Sequence, residues 1–209
     1  MSSVERVRNC RVEEENEAIT PFSLVIFGGA GDLSRKKLLP MLYAMFRRGI
    51  LPDTFSVLGF GRQPLSDEEY RSIVRDAVVS SDETETGKEE EVAGFCRRCF
   101  FLYGHLENGE YYGKLNERLS EVSAGTRGEV IYYLSVPSSL YRQVIDTIGN
   151  SPLPKHPDRV KIVVEKPFGR NLPTAMELNR TVEKVFTEKQ VFRMDHYLGK
   201  ETVQNIIFF

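Results

Sequence analysis

The 209-residue chain is poor in cysteine and in histidine, and it carries no strong excess of either charge. Three cysteines cannot build a disulfide framework. Cys96 and Cys99 form a C-x-x-C pair, yet no second pair follows and no histidines stand at metal-ligand spacing. Reduced structural thiols, no metal and a reducing, cytoplasmic compartment are therefore expected. A net charge of −2 and a pI near 6.0 argue against nucleic acid as a partner. No run approaches the ~18 apolar residues of a membrane span, so no membrane partner is expected either. Residues 1–20 lack an apolar stretch, which rules out a secretory signal. They mix Arg6, Arg8 and Arg11 with Glu13, Glu14, Glu15 and Glu17 and read as a disordered leader.

What is present suffices for a core, since 41% of the residues are hydrophobic. Short apolar runs predict strands at 22–27, 55–60, 99–103, 130–136, 160–164 and 190–194. Helical spacing predicts helices at 33–48, 66–79, 111–122, 139–148 and 174–186, with Pro40 kinking or dividing the first. Ser66 and Glu69 form a capping box for the second helix, and Ser138 is the expected cap of the fourth. The acidic stretch 82–91 is expected to be exposed and to lead into a helix reaching Phe95. Strands alternating with helices imply βαβ units, hence an α/β, Rossmann-like, doubly wound and mostly parallel sheet. The expected division is a leader at 1–20, a dinucleotide-binding domain at 21–190 and the start of a further domain at 191–209.

Gly28, Gly29, Ala30, Gly31, Asp32 and Leu33 lie between the first strand and the first helix. Ligands of such sheets bind at the carboxyl ends of strands. Glycines there let the backbone approach a pyrophosphate, and the helix start adds N–H donors and a partial positive charge. Position 33 is Leu, so the spacing departs from the full G-x-G-x-x-G, and an ordinary tight turn is the competing reading. The second strand ends in Gly59, Phe60, Gly61 and Arg62, with no acid to hold a ribose hydroxyl. Arg62 suits a 2′-phosphate, which favours NADP over NAD. Lys166, followed by Pro167, closes another apolar strand at the same edge, placed for a substrate hydroxyl or for the nicotinamide; a plain surface lysine is the alternative.

Asp195, His196, Tyr197 and Lys200 crowd together near residue 209, a mixture that no core-packing pattern requires. His196 and Lys200 are four apart and share one face of a helix. With Tyr197 they suit a phosphate group. His105 and His156 fall in loops with no carboxylate partner expected nearby, so neither makes a convincing base.

Taken in order and spacing, the segments 28–33, 165–170 and 193–201 closely resemble glucose-6-phosphate dehydrogenase, and the likeness runs from about Phe22 onward. The loop reads Gly-Gly-Ala-Gly where many members have Gly-Ala-Ser-Gly, a change that leaves the backbone cradle intact. The resemblance implies oxidation of glucose 6-phosphate at C1 to 6-phosphogluconolactone with reduction of NADP, the first step of the oxidative pentose phosphate pathway. It implies that Gly28, Gly29, Ala30, Gly31, Asp32, Leu33, Ser34 and Arg35 hold the NADP pyrophosphate, that Arg62 holds its 2′-phosphate, and that Tyr141 lies near the cofactor. Lys166 would touch both cofactor and sugar. His196, Tyr197 and Lys200 would bind the substrate phosphate, and Asp195 would orient a histidine base. The family's C-terminal α+β domain, with that base and the contacts that form its dimers or tetramers, is expected beyond residue 209. The chain alone is accordingly expected to be inactive or nearly so. Two further readings stay open: a stand-alone, non-catalytic NADP-binding module, and another NAD(P) sugar oxidoreductase carrying Glu-Lys-Pro.

Overall fold

The structure is a computed structural model and describes residues 20–81, 88–123, 128–169 and 171–194. The leader at 1–19 and most of the expected last domain lie outside the described residues. The strands are β1 (Phe22–Phe27), β2 (Phe55–Gly61), β3 (Cys99–Tyr103), β4 (Glu129–Leu134), β5 (Val160–Glu165) and β6 (Val191–Met194). All pair in parallel in one sheet of order β3-β2-β1-β4-β5-β6. The helices are α1 (Leu39–Arg47), α2 (Asp67–Val79), α3 (Glu89–Cys96), α4 (Glu110–Val122), α5 (Tyr141–Gly149) and α6 (Leu172–Val185).

Helices cover both faces, which is why the central strands read as unbroken apolar runs. All six residues of β1 and all seven of β2 are buried. Along β1, Leu24 and Ile26 join a core with Leu42 and Tyr43 of α1, Val74 of α2 and Phe95 of α3. Val25 and Phe27 point the other way, toward Tyr112 and Leu115 of α4, Val144 of α5 and Val182 of α6. The doubly wound, Rossmann-like reading is thus correct, and the sheet is wholly parallel.

Local chemistry accounts for the element ends. Ser66 and Glu69 form the expected capping box: the Glu69 N–H donates to Ser66 Oγ at 3.2 Å, and the Ser66 N–H donates to the Glu69 carboxylate at 2.7 Å. The Ser66 N–H, and after it the Ser66 hydroxyl, donate to the Glu69 carboxylate and lower its pKa. Pro40 divides the first helix. A π-helical turn at Ser34–Leu38 comes first, with the Leu39 N–H bonded to the Ser34 carbonyl, and Pro40 then falls in the first turn of α1, where its missing N–H is not needed. Two expectations shift. Ser138 makes no capping bond; a 3₁₀ turn at Ser138–Leu140 precedes α5. Asn171 caps α6 by accepting from the Thr174 N–H at 3.1 Å. The strand expected at 190–194 is present as β6, which pairs with β5 through Met194.

The edge strand β3 is closed to further pairing. Its outward Phe101 N–H donates to Asp67 Oδ1 at 2.8 Å, and Arg71 Nε donates to its Cys99 carbonyl at 3.1 Å. Arg118 joins Asp67 at 2.5 Å, and the guanidinium groups of Arg71 and Arg118 lie over the Phe100 ring. Side chains of α2 and α4 thereby occupy an edge that would otherwise be free to template another strand.

Candidate functional site

The loop after β1 is defined by what its glycines touch. Gly28 has a φ of +86°, a left-handed value that a side chain disfavours. A Cβ on Gly28 would stand 2.4 Å from the carbonyl oxygen of Ser135, just past β4. A Cβ on Gly29 would stand 2.4 Å from the Gly59 Cα in β2. The Gly28 and Gly29 N–H groups both donate to the Phe60 carbonyl, at 2.8 and 3.3 Å. The Tyr70 hydroxyl of α2 donates to the Gly29 carbonyl at 3.3 Å. The loop is therefore pinned between β2 and β4, at the point where the strand order reverses. The sequence reading ties these glycines to ligand approach; packing against two neighbouring strands already requires Gly28 and Gly29.

Ala30 and Ser34 are buried beneath the turn, while Asp32, Arg35 and Lys36 are exposed on it. Asp32 sits 3.4 Å from Lys36 and 4.0 Å from Arg35, surface pairs of small energy that leave the basic groups at the mouth of the loop. Arg62 follows β2 directly and is exposed. Loop and arginine thus share one stretch of the carboxyl edge, as expected from their spacing.

Two strand spacings away, about 10 Å, the edge is built differently. β5 runs one residue past its apolar stretch and ends on Glu165, which is only 6% exposed. The Tyr133 hydroxyl of β4 donates to the Glu165 carboxylate. The Glu165 N–H donates to the Tyr141 hydroxyl of α5 at 3.2 Å. Burial pushes the Tyr141 phenol up to about 12. Burial also raises the Tyr133 phenol far above its usual value, and the adjacent Glu165 carboxylate adds to the effect. Both tyrosines therefore keep their protons at neutral pH. Lys166 lies just past the end of β5 and is exposed at the edge. The Lys166 N–H donates to the Met194 carbonyl at 2.9 Å, which joins the ends of β5 and β6, and the Lys166–Pro167 bond is cis.

The structure thus brings the loop, Arg62 and Lys166 to one edge of the sheet. It places Tyr141 in the packed wall behind Lys166, 2% exposed, rather than on the surface. Asp195, His196, Tyr197 and Lys200 lie outside the described residues; β6 ends immediately before them in sequence. One expectation is corrected: His105 and His156 do have acidic neighbours, Glu107 at 3.7 Å and Asp158 at 3.8 Å, each two residues along the loop. Cys96 and Cys99 are buried and free, and burial raises both thiol pKa values, as suits structural thiols. Sequence reasoning missed Ser135, Tyr133 and the buried role of Glu165. Only Glu165 left a signal, as an acid closing an apolar strand.

A parallel, doubly wound sheet with a glycine loop between its first strand and first helix, at the switch point, defines a dinucleotide-binding α/β domain. Residues 25–205 match the family described as glucose-6-phosphate dehydrogenase, NAD binding domain, and the chain belongs to that family. It is 34% identical over 196 residues to glucose-6-phosphate 1-dehydrogenase 1, chloroplastic, of Arabidopsis thaliana. It is 39% identical over 191 residues to glucose-6-phosphate 1-dehydrogenase 2 of Mycobacterium bovis. These alignments take in 93% and 90% of this chain but 34% and 37% of the relatives, so the chain spans about a third of their length. A solved glucose-6-phosphate dehydrogenase in complex with its substrate glucose-6-phosphate superposes with a TM-score of 0.76 at 30% identity, over 90% of this chain and 39% of that one.

Proposed function

We propose that this chain is the coenzyme-binding part of a glucose-6-phosphate dehydrogenase that reduces NADP while oxidising glucose 6-phosphate to 6-phosphogluconolactone. The observation that carries the cofactor reading is the joint placement of a glycine-rich loop, held against the end of β2, and Arg62, which follows that strand with no acid at its end. The residues present fit the cofactor. Gly28, Gly29 and Gly31 let the main chain turn tightly at the start of the first helical turn, and Arg35, Lys36 and Arg62 supply exposed positive charge around it.

Bound NADP would supply the hydride acceptor. Residues 28–35 would hold its pyrophosphate and Arg62 its 2′-phosphate. Lys166, on the side-chain-built end of β5, would orient both the nicotinamide and the C1 hydroxyl. His196, Tyr197 and Lys200 carry the chemistry for anchoring the substrate phosphate, and Asp195 that for orienting a base. No residue described here has the setting of that base. Loss of a base typically costs 10²–10⁴-fold, so this chain alone is expected to produce NADPH at under about 1% of an intact enzyme's rate. The deciding measurement is calorimetric titration of the chain with NADP and with NAD. NADP is expected to bind more tightly, and equal affinities would remove the argument from Arg62.

A further inference from the structure

We infer that the leader docks, through Glu13, Glu14, Glu15 and Glu17, on an arginine face at the amino edge of the sheet. Arg47, Arg48, Arg97 and Arg98 make that face. It lies at the end of the strands opposite the phosphate loop, and the inference does not depend on the cofactor reading.

Two helices end at this edge. Arg47 is the last residue of α1 and Arg48 its cap, and Arg97 caps α3. The Arg98 carbonyl accepts from the Val57 N–H at 2.9 Å, which fixes the point at the start of the sheet. The Arg98 guanidinium lies over the rings of Phe46 and Phe55, 5.6 and 4.8 Å from their centroids. The Arg97 guanidinium and the Phe46 ring both come within 3.7 Å of the place a Cβ on Gly94 would occupy. The cations thus gather around Phe46. Glu91 meets Arg47 at 3.5 Å, whereas Arg48 and Arg97 are exposed and have no ion pair among the described residues. A cation offsets the carbonyl end of a helix. That accounts for Arg48 and Arg97 singly, and not for four arginines brought to one place.

Chain connectivity and charge name the occupant. The Phe22 ring stacks on Phe55 at 5.8 Å, and Arg98 lies 4.8 Å from that same ring, so the guanidinium stands within about 11 Å of the Phe22 ring. Glu17 precedes Phe22 by five residues and Glu13 by nine, which gives an extended chain a reach of ~17 and ~30 Å. All four carboxylates can therefore meet the face, and the leader's own Arg6, Arg8 and Arg11 lie beyond them. A tether this short holds the segment at an effective concentration in the millimolar range, enough for weak, exposed ion pairs to act together.

The test is cleavage of the whole chain by a glutamyl endopeptidase, which cuts after glutamate and so reads the fraction of leader that is free. At low salt, Arg48→Gln/Arg97→Gln is expected to speed cleavage at 13–17 about 2- to 30-fold, the range of two exposed ion pairs. Sodium chloride at about 0.5 M should speed cleavage of the parent likewise, relative to a free peptide of residues 1–21. Arg159→Gln makes the same charge change at an exposed site just before β5 and should leave the rate within about 1.5-fold. A parent rate in the folded double variant overturns the inference. If that variant does not fold, the salt response decides, and a rate unaffected by salt overturns it. Equal acceleration by Arg159→Gln also overturns it, since net charge and not this face would then be at work. So does protection that grows with chain concentration, which would place the leader on a second copy.

Discussion

Two stretches of the same sheet edge, the loop after β1 and the end of β5, solve the problem of placing a ligand by opposite means. The loop works by omission. Gly28 and Gly29 have no side chains, so main chain presses on main chain, against Ser135 on one side and Gly59 on the other. The end of β5 works by addition. Tyr133 donates to the buried Glu165 carboxylate and Tyr141 accepts from the Glu165 main-chain N–H, a polar wall that ends beside Lys166. A steric contact between backbones has no intermediate state, whereas a hydrogen-bonded cluster loses its members one at a time. The loop should fail abruptly and the wall by degrees.

The sharpest break is Gly29→Ala. Its methyl has no room beside Gly59, and overpacking of this kind should cost about 3 kcal/mol or more in urea denaturation. A cost under about 1 kcal/mol would show that the loop can move away from β2, and the contrast would collapse. Next comes Glu165→Ala, which leaves the buried Tyr133 hydroxyl without its carboxylate. A loss of about 1–3 kcal/mol is expected, with Glu165→Gln recovering part of it because the amide oxygen still accepts.

Tyr141→Phe removes the acceptor of the Glu165 N–H and should cost about 1 kcal/mol at neutral pH. It also has a signature in alkali. The folded pKa of this phenol is raised from 10.0 to about 12, so its contribution is fully present below pH 10 and is lost as the pH rises toward 12. The parent should lose stability across that interval, and Tyr141→Phe should lose less. Equal alkaline slopes would mean that Tyr141 is not held neutral by its surroundings. The smallest structural effect is expected from Arg62→Ala, within about 0.5 kcal/mol of the parent in thermal unfolding because the side chain is exposed. Its mark should be on ligand choice, as loss of the preference for NADP over NAD.

Much of this was legible in the order of residues. The apolar run 22–27 and the glycines after it announced a buried strand and a tight turn, because a strand covered on both faces needs no alternation. Pro40 announced the division of the first helix, because a missing N–H has few tolerable positions. Other features left little trace. The Ser135 carbonyl constrains Gly28 across a sequence gap that no local pattern spans. Asp67 begins a helix and reads as part of its acidic first turn, yet it also bonds the edge strand at Phe101 and an arginine of α4. Tyr133 reads as one more strand aromatic, and its hydroxyl finds Glu165 only because β4 and β5 lie side by side.

The sequence by itself determined the element order, the alternation that makes the sheet parallel, the family and the residue types at each candidate contact. These follow from local rules: the period of apolar residues, the conformational limits of glycine and proline, and motifs whose members lie close together along the chain. Tertiary structure alone decided that Gly28 and Gly29 are demanded by packing, that Glu165 is buried beside two tyrosines, that Tyr141 stands in a wall, and that Tyr103 comes to rest beside Gly61. Each of those depends on which strands become neighbours. That pairing is fixed by burying two helix layers against one sheet, a property of the whole chain that no short segment carries.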